Sequence, residues 1–258
     1  MFKLNEGLWY YIVTSANIST DSWQFILLTV SFTAAAMLIG YLLGSLNSAI
    51  IISKALYGDD IRKHGSGNAG LTNMLRTYGK KAAGLTLLGD VLKTALAIVI
   101  GSILGGFGYF RLISMSYLTS PLPLNYIAGF FAVIGHILPI YYKFKGGKGV
   151  LCTAAMALIL TPIEFLILLA VFVLLVSWTK YVSLGSVTVA FLYPIVVSGH
   201  IKVAFSGAIK MNGVMALITI LLAIIIVYCH RGNLQRISEG TERKISFKSK
   251  KKDDTQNG

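Results

Sequence analysis

Gly65-Ser-Gly-Asn-Ala-Gly-Leu-Thr-Asn-Met-Leu-Arg76 is a polar, glycine-rich stretch in a chain that is 55% hydrophobic. It contains the pattern G-x-G-x-x-G, which in a dinucleotide-binding fold joins a strand to a helix within a βαβ unit. In this chain the pattern follows an apolar run of membrane length and a charged segment, so we do not expect that fold. Three glycines in six residues instead allow successive backbone N–H groups to turn inward and bind an anion, most often phosphate.

The composition of the whole chain indicates a membrane protein. Its 258 residues have a mean hydropathy of +0.72, and only 13% of them are charged. A soluble domain of this composition could not cover its surface with polar groups, so the sequence predicts an all-α integral membrane protein. The net charge of +13 lies in loops, which indicates membrane topology rather than a nucleic-acid partner. Cys152 and Cys229 lie in or beside apolar runs and form neither a disulfide framework nor a metal-ligand spacing.

We expect about seven membrane-spanning helices, some of them short or broken. The apolar runs are 25–53, 84–106, 126–142, 150–160, 165–178, 184–198 and 214–228. Pro139 breaks the third run, and Thr161-Pro162 ends the fourth, which is too short to cross a bilayer alone. Small residues four apart, from Gly40 to Ser48, favour close packing of the first helix. Residues 54–81 are predicted to form a polar loop.

The placement of positive charge predicts the topology. Eighteen of the 23 Lys and Arg residues lie in four segments: 54–81, 143–149, 180–182 and the chain from His230 onward. By the positive-inside rule these segments are cytoplasmic, and an odd number of spans then places the N-terminus outside and the C-terminus in the cytoplasm. We therefore divide the chain into an interfacial, aromatic-rich N-terminal extension (1–24), a membrane domain (25–242) and a basic polar cytoplasmic tail (243–258). Lysines of the tail, between 248 and 252, suit anionic lipid.

Three polar clusters fall on this expected cytoplasmic face: Gly65–Arg76, Lys143–Gly149 and His230–Arg236. Each is rich in cations or backbone donors and none contains a group of acids, so together they predict a site for phosphate groups at the membrane surface. Lys145-Gly-Gly-Lys-Gly149 lacks the first glycine and the final Ser or Thr of a P-loop, so we do not expect nucleotide hydrolysis. It still suits a phosphate at the start of the next helix; the alternative is a basic loop that only fixes topology.

Four polar residues within or beside the spans need separate interpretation. Asp90 and Lys93 lie three residues apart on one helical face, where charges are costly, and they form either a functional pair or a structural ion pair. A hydrogen-bonded structural role is favoured for His136, which lies within a span. A functional role is favoured for His230, which ends the last span near the expected phosphate site. The other two histidines receive no role.

The motifs resemble those of the bacterial acyl-phosphate:glycerol-3-phosphate acyltransferases, the PlsY family. Three sets of residues carry the resemblance: Gly65–Gly70, Thr72-Asn73, Arg76 and Gly79–Lys81; Gly135-His136, Pro139 and Phe144–Val150; and His230-Arg231, Asn233, Arg236 and Gly240–Glu242. They occur in the family's order between about Ile39 and Glu242. The chain departs from the usual pattern at Leu71, Thr94 and Leu151-Cys152, and none of these departures removes a polar group expected in the site.

The resemblance implies a seven-helix enzyme of the bacterial plasma membrane whose site faces the cytoplasm. It would transfer an acyl group from acyl phosphate to the sn-1 hydroxyl of glycerol 3-phosphate, giving lysophosphatidate and phosphate. No cofactor and no metal are expected. Catalytic roles are expected for Ser66, Lys148 and His230. Substrate-binding roles are expected for Gly65, Gly67, Asn68, Thr72, Arg76, Lys145, Gly146, Gly147 and Asn233.

The chemistry of these residues fits two phosphate-bearing substrates. Ser66, the glycine-rich backbone and Lys148 would hold the acyl-phosphate head and stabilise the oxyanion, with the acyl chain between helices or in lipid. Since no Ser-His-Asp or His-x-x-x-x-Asp grouping is present, the proton would pass to a substrate phosphate or to His230. A carrier for an organic phosphate or phospholipid is the alternative, although the spans lack a convincing internal repeat. A lipid-binding scaffold would leave the glycine loops unexplained.

Overall fold

The computed structural model describes residues 7–106, 123–198 and 213–245, and the regular elements within these ranges are all helical. The α-helices are α1 (Gly7–Ser15), α2 (Trp23–Gly44), α3 (Ser48–Tyr57), α4 (Leu71–Gly105), α5 (Leu124–Ile137), α6 (Val150–Leu160), α7 (Pro162–Thr179), α8 (Val182–Val197), α9 (Gly213–Cys229) and α10 (Arg231–Ser238). Short 3-10 helices lie at Ile61–Lys63 and Ile140–Tyr142. The start of the expected N-terminal extension, His200 and the tail lysines between 248 and 252 lie outside the described residues.

The helices agree with a multi-pass membrane protein. Within the described ranges, four segments are long and apolar enough to cross a membrane: Trp23–Tyr57, Leu71–Gly105, Leu124–Tyr142 and Pro162–Thr179. A fifth candidate is α9 with α10, which are bent by 53°. Two further apolar helices, α6 and α8, are shorter. The all-helical membrane fold is confirmed, with helices at all seven expected positions, whereas seven complete crossings stay a prediction.

The polar loop predicted at 54–81 is wrong at both ends. Helix α3 continues to Tyr57 and α4 already begins at Leu71, so the non-α segment is much shorter. The reason is that the first turns of α4 are amphipathic: Met74 is fully buried while polar side chains occupy the opposite side. Gly79, with φ of 83°, kinks α4 between this polar start and its apolar length. Arg76, Lys80 and Lys81 therefore lie on α4, whereas Arg62 and Lys63 remain in the segment between α3 and α4.

Close packing of α2 against α5 confirms the expectation from the small residues of the first span. A methyl group on Gly44 would lie 2.1 Å from the backbone oxygen of Ala132, and one on Gly40 would lie 2.3 Å from that of Ala128. Neither position has room for a larger side chain without separating the two helices. This tight pair forms the rigid side of the molecule.

The two ends of the helical bundle differ in character. At one end α1 packs beside the last residues of α4, and the indole of buried Trp9 donates to Thr29 Oγ1 over 3.2 Å. At the other end lie the connections 58–70, 138–149 and 180–181, together with 230–245. These four connecting segments surround the cavity described next.

Candidate active site

A cavity of about 760 Å³ lies at the end of the bundle where the four connecting segments meet. Eight of the twelve site residues expected from the sequence line it: Gly65, Ser66, Asn68, Thr72, Arg76, Lys148, His230 and Asn233. The other four, Gly67, Lys145, Gly146 and Gly147, do not line it. The fold thus brings Gly65 and His230, which are 165 residues apart in sequence, to one site.

Four helices begin at the wall of this cavity. First-turn or N-cap residues of α4, α6, α8 and α10 line it, and none of these four helices has a side chain bonded at its N-terminus. A helix N-terminus carries a partial positive charge and unsatisfied N–H groups. Together with the side chains of Arg76 and Lys148, the four helix starts make this end of the cavity strongly favourable for anions.

Asn73 shapes the glycine-rich loop. Its Nδ2 donates to the carbonyls of His64 and Asn68, both over 3.0 Å, while its Oδ1 accepts from the Ser66 N–H over 3.1 Å. Gly65 has φ of +59°, and a methyl group there would lie 2.1 Å from Asn73 Oδ1. Because the Ser66 N–H is engaged within the loop, anion binding here depends on side chains and on the first amides of α4. In the sequence, Asn73 stood out only as part of the first motif.

The Lys145–Gly149 loop is attached to the end of α5 through its glycine amides. Gly146 N–H donates to the carbonyl of Ile137 over 3.2 Å, and Gly147 N–H donates to that of His136 over 3.1 Å. These two amides therefore hold the loop in place and are engaged within the protein. Lys145 is exposed on the outside of the loop, whereas the partly buried Lys148 lines the cavity.

Lys148 belongs to a hydrogen-bond network that crosses the cavity mouth. Its ammonium donates to Asn233 Oδ1, and Asn233 Nδ2 donates to Glu242 Oε1 over 2.6 Å. Glu242 also accepts from Ser183 Oγ and Arg236 Nε, each over 2.8 Å. Burial lowers the pKa of Lys148. For Glu242, burial acts to raise the pKa, but these three hydrogen bonds outweigh it and lower the pKa.

Glu242 and Ser183 were not among the site residues expected from the sequence. Glu242 belongs to the third motif, Gly240-Thr-Glu242, so its place in the motif was the available signal. Ser183 stands in no motif. Its role follows from the fold, because it begins α8 where the segment after α10 passes over the cavity.

His230 is 4% exposed and presents one ring nitrogen for chemistry. Its Nδ1 lies 2.8 Å from the carbonyl oxygen of Ile226. A carbonyl only accepts, so Nδ1 carries the proton and the Nε2 of the neutral ring is an acceptor. Arg76, across the mouth, donates from Nη2 to the carbonyl of Arg243 over 3.2 Å.

Asp90, Lys93 and His136 form a buried cluster in the wall of the cavity, which Asp90 and His136 line. Lys93 Nζ lies 2.7 Å from Asp90 Oδ1 and 3.0 Å from His136 Nδ1, and it also donates to the carbonyl of Leu46 over 3.0 Å. Asp90, His136 and Cys152 also bring three potential metal-ligand atoms within 4.8 Å of one another. The Lys93 ammonium already supplies the cation beside two of them, so the geometry favours the structural ion pair over a metal site.

The remainder of the cavity is largely apolar and runs between α6, α7, α8 and α9, with Thr153 and Ser186 as polar side chains in its wall. Its lining residues are Val150, Leu151, Ala154, Ala157, Phe165, Leu168, Leu169, Phe172, Val189, Ala190, Tyr193 and Ile226. The cavity thus combines a cationic end for phosphate groups with a long apolar part for hydrocarbon. The fold and the site define a multi-pass membrane enzyme that acts on phosphate-bearing lipid substrates.

Comparison with known proteins identifies the family. The family model described as "Glycerol-3-phosphate acyltransferase" matches residues 34–240. A glycerol-3-phosphate acyltransferase from Mycoplasmopsis agalactiae is 40% identical over 240 residues, which cover 86% of this chain and 98% of the relative. One from Bacillus subtilis is 36% identical over 214 residues, covering 83% and 98%. The chain belongs to the glycerol-3-phosphate acyltransferase family, and it is a multi-pass bacterial membrane protein.

Two solved structures share its fold. The crystal structure of PlsY, an integral membrane glycerol 3-phosphate acyltransferase, matches in its glycerol 3-phosphate form with a TM-score of 0.67 and 29% identity, covering 83% of this chain and 96% of that one. The lysophosphatidic acid form matches with a TM-score of 0.65 and 28% identity, covering 83% and 95%. The resemblance noted from the sequence motifs is confirmed.

Proposed function

We propose that this glycerol-3-phosphate acyltransferase uses the cavity to move an acyl group from acyl phosphate to the sn-1 hydroxyl of glycerol 3-phosphate, giving lysophosphatidate and phosphate. One observation carries the assignment: eight expected site residues, from three distant motifs, line one cavity that is cationic at one end and apolar beyond it. Both substrates bear phosphate, which explains cations and helix N-termini without a catalytic acid pair. The acyl chain lies in the apolar part.

The acyl-phosphate head binds where α6 begins. Lys148 and the first amides of α6 face this position, and Ser66 adds a hydroxyl from the glycine-rich loop. As the hydroxyl attacks, negative charge develops on the carbonyl oxygen and then on the departing phosphate. Donors fixed in advance in a half-buried site stabilise that charge better than water does.

Glycerol 3-phosphate binds across the mouth, between Arg76 and Asn233. The Arg76 guanidinium now bonded to the Arg243 carbonyl is a forked donor suited to a phosphate dianion. Lys148 links the two substrate positions because it donates to Asn233. Holding both substrates in one orientation converts a bimolecular reaction into an effectively unimolecular one.

The departing phosphate takes the proton in this mechanism. His230 bonds through Nδ1 to a neutral carbonyl rather than to a carboxylate. Burial of the ring, with a smaller effect of Lys148, lowers the pKa of His230 to about 4, so the imidazolium is disfavoured. Its Nε2 orients the sn-1 hydroxyl. The hydroxyl oxygen bonds to the carbonyl carbon, the carbon–oxygen bond to phosphate breaks, and the proton leaves on the phosphate.

The chain crosses the membrane seven times, with its N-terminus outside and its C-terminus and active site in the cytoplasm. Residues 54–81, 143–149 and 180–182, with the chain from His230 onward, hold 18 of the 23 Lys and Arg residues. These ranges overlap the four connecting segments at the cavity end, which the positive-inside rule assigns to the cytoplasm. α1 packs at the opposite end. The short helices α6 and α8 are tolerated as crossings because they line a protein cavity.

Kinetics of two lysine variants test the site. Lys148→Ala should lower kcat/KM by roughly 10²–10³-fold, the usual effect of losing one donor to the transition-state oxyanion. Lys143→Ala, from the same loop but outside the cavity, is the control and should stay within about twofold of the parent protein. Equal activity in the two variants would contradict the assignment of Lys148.

A third variant separates the two roles open to His230. His230→Gln retains an acceptor and should reduce kcat moderately without shifting the pH profile. Loss of a titrating limb near neutral pH would instead make His230 the base and contradict proton transfer to phosphate.

A further inference from the structure

The apolar part of the cavity has a definite end. Ser183 lies in the first turn of α8 at the polar mouth, where it donates to Glu242. Tyr193 lies ten residues further along the same helix and also lines the cavity, so the two are separated by about 15 Å at 1.5 Å per residue. Tyr193 is the last residue of α8 to line the cavity, and it packs in one buried cluster with Leu160 and Leu222, which do not line the cavity.

Tyr193 is held in position at this end. Its side chain is 2% exposed, and its hydroxyl lies 3.3 Å from Thr161 Oγ1, at the turn between α6 and α7. Pro162 ends α6 at that turn, so the hydroxyl partner is itself fixed by the backbone. A ring fixed in this way cannot swing aside as readily as a flexible aliphatic side chain.

Small residues also line the apolar part of the cavity. Ala157 on α6 and Ala190 on α8 both line the apolar part and are 3% and 5% exposed. Alanines leave the width that a hydrocarbon chain needs, whereas Tyr193 closes the space at its end. A larger side chain at Ala157 would therefore stop the hydrocarbon chain before it reaches Tyr193.

We propose that Tyr193, fixed by Thr161, sets the longest acyl chain that the enzyme uses efficiently. The inference rests on the proposed function, in which the acyl chain occupies the apolar part of the cavity. Each methylene that gains burial improves kcat/KM by about fourfold, until the chain end reaches the ring. A longer chain then must bend or displace the packed core, and the gain ends.

A chain-length series of saturated acyl phosphates tests this inference, with kcat/KM measured for each length. Tyr193→Ala should move the optimum to longer chains and raise kcat/KM of the longest donors, relative to the shortest, by about fourfold for each methylene accommodated. Ala157→Leu should move the optimum to shorter chains. Phe191→Ala is the control, since Phe191 lies on α8 but is 62% exposed and does not line the cavity.

The two variants act in opposite directions, so the test remains decisive if Tyr193→Ala fails to fold. In that case an unchanged optimum in Ala157→Leu overturns the inference. An unchanged optimum in a folded Tyr193→Ala protein also overturns it. Failure of the parent protein to use any acyl phosphate would instead contradict the proposed function, so the two failures are distinguishable.

Discussion

Glu242 joins residues from two helices at the mouth of the active site. One carboxylate oxygen accepts from Ser183 on α8 and Asn233 on α10, and the other accepts from Arg236. Asn233 in turn accepts from Lys148, so the position of the ammonium that we propose to bind acyl phosphate depends on the Glu242 carboxylate. We therefore describe Glu242 as a positioning residue.

Replacing Glu242 with Gln should lower kcat/KM roughly 10- to 100-fold, because hydrogen bonds to a charged group contribute about 1.5–3 kcal/mol. The amide nitrogen of Gln would also face donors rather than acceptors. The KM for glycerol 3-phosphate should rise together with the fall in kcat. Glu239→Gln is the matched control, since Glu239 is exposed and accepts from Gln235. Steady-state kinetics with both substrates varied give the answer, and two indistinguishable variants would contradict the role of Glu242.

Residue identities in the site were largely accessible from sequence, but their partners were not. Lys148, Asn233 and Arg76 stand in glycine-rich or cationic motifs whose chemistry indicates phosphate. The bond between Ser183 and Glu242 joins positions 59 residues apart, and no local pattern predicts such a contact. The sequence also does not show that the N–H groups of Gly146 and Gly147 are hydrogen-bonded within the protein. This follows only from the packing of their loop against the end of α5.

At the scale of elements, Arg62 fixes two connecting segments to one another. Its guanidinium forms a bidentate pair with Asp60, and its Nη1 donates to the carbonyl of Tyr142 over 2.9 Å. The pair with Arg62 counts most in lowering the pKa of Asp60 to about 2. The segment that precedes the glycine-rich loop is thereby attached to the segment that precedes Lys148.

Loss of this attachment should disturb both loops together. Arg62→Gln is expected to lower kcat/KM about tenfold, equivalent to the 1–1.5 kcal/mol that one hydrogen bond contributes. Arg62→Lys should not restore it, because an ammonium cannot reproduce the fork. Lys63→Gln removes the same charge at an exposed neighbouring position and should leave kcat/KM unchanged. A fully active Arg62→Gln protein would contradict the attachment.

Packing between α2 and α5 gives a second prediction at this scale. Gly44→Ala should destabilise the protein by about 1–3 kcal/mol, since a methyl group 2.1 Å from the Ala132 oxygen forces the helices apart. Gly84→Ala on α4 is the control: its methyl group meets nothing within 4 Å, and it should be neutral or slightly stabilising. Thermal unfolding of the purified proteins in one detergent would compare them, and equal Tm values would contradict the tight contact.

The wrong prediction of a polar loop over 54–81 has a physical cause. Charged and glycine residues suggested an irregular segment, but helical periodicity between Leu71 and Ala82 was masked by the polar side that faces the site. A helix that lines a polar cavity near the membrane surface has few of the apolar signals used to find spans. Helices that face lipid have continuous apolar runs, so the sequence predicted most of their ends to within a few residues.

For the whole molecule, the order of the helices places the connecting segments around the cavity at one end. We expect Ser19→Cys, between α1 and α2, to react with a membrane-impermeant maleimide on intact cells. Lys63→Cys, at the cavity end, should react only after permeabilisation. Both would be made in a protein in which Cys152 and Cys229 are replaced by Ala. The reverse labelling pattern would contradict the proposed orientation.

The reaction proposed for this cavity is the transfer of an acyl group from acyl phosphate to glycerol 3-phosphate. Incubating the purified protein with both compounds, while following phosphate release and lysophosphatidate formation, tests it most directly. We predict equal amounts of the two products, with both strongly reduced in Lys148→Ala and Arg76→Ala. Product from acyl-CoA but none from acyl phosphate would contradict the proposed donor, and phosphate release without lysophosphatidate would contradict the transfer itself.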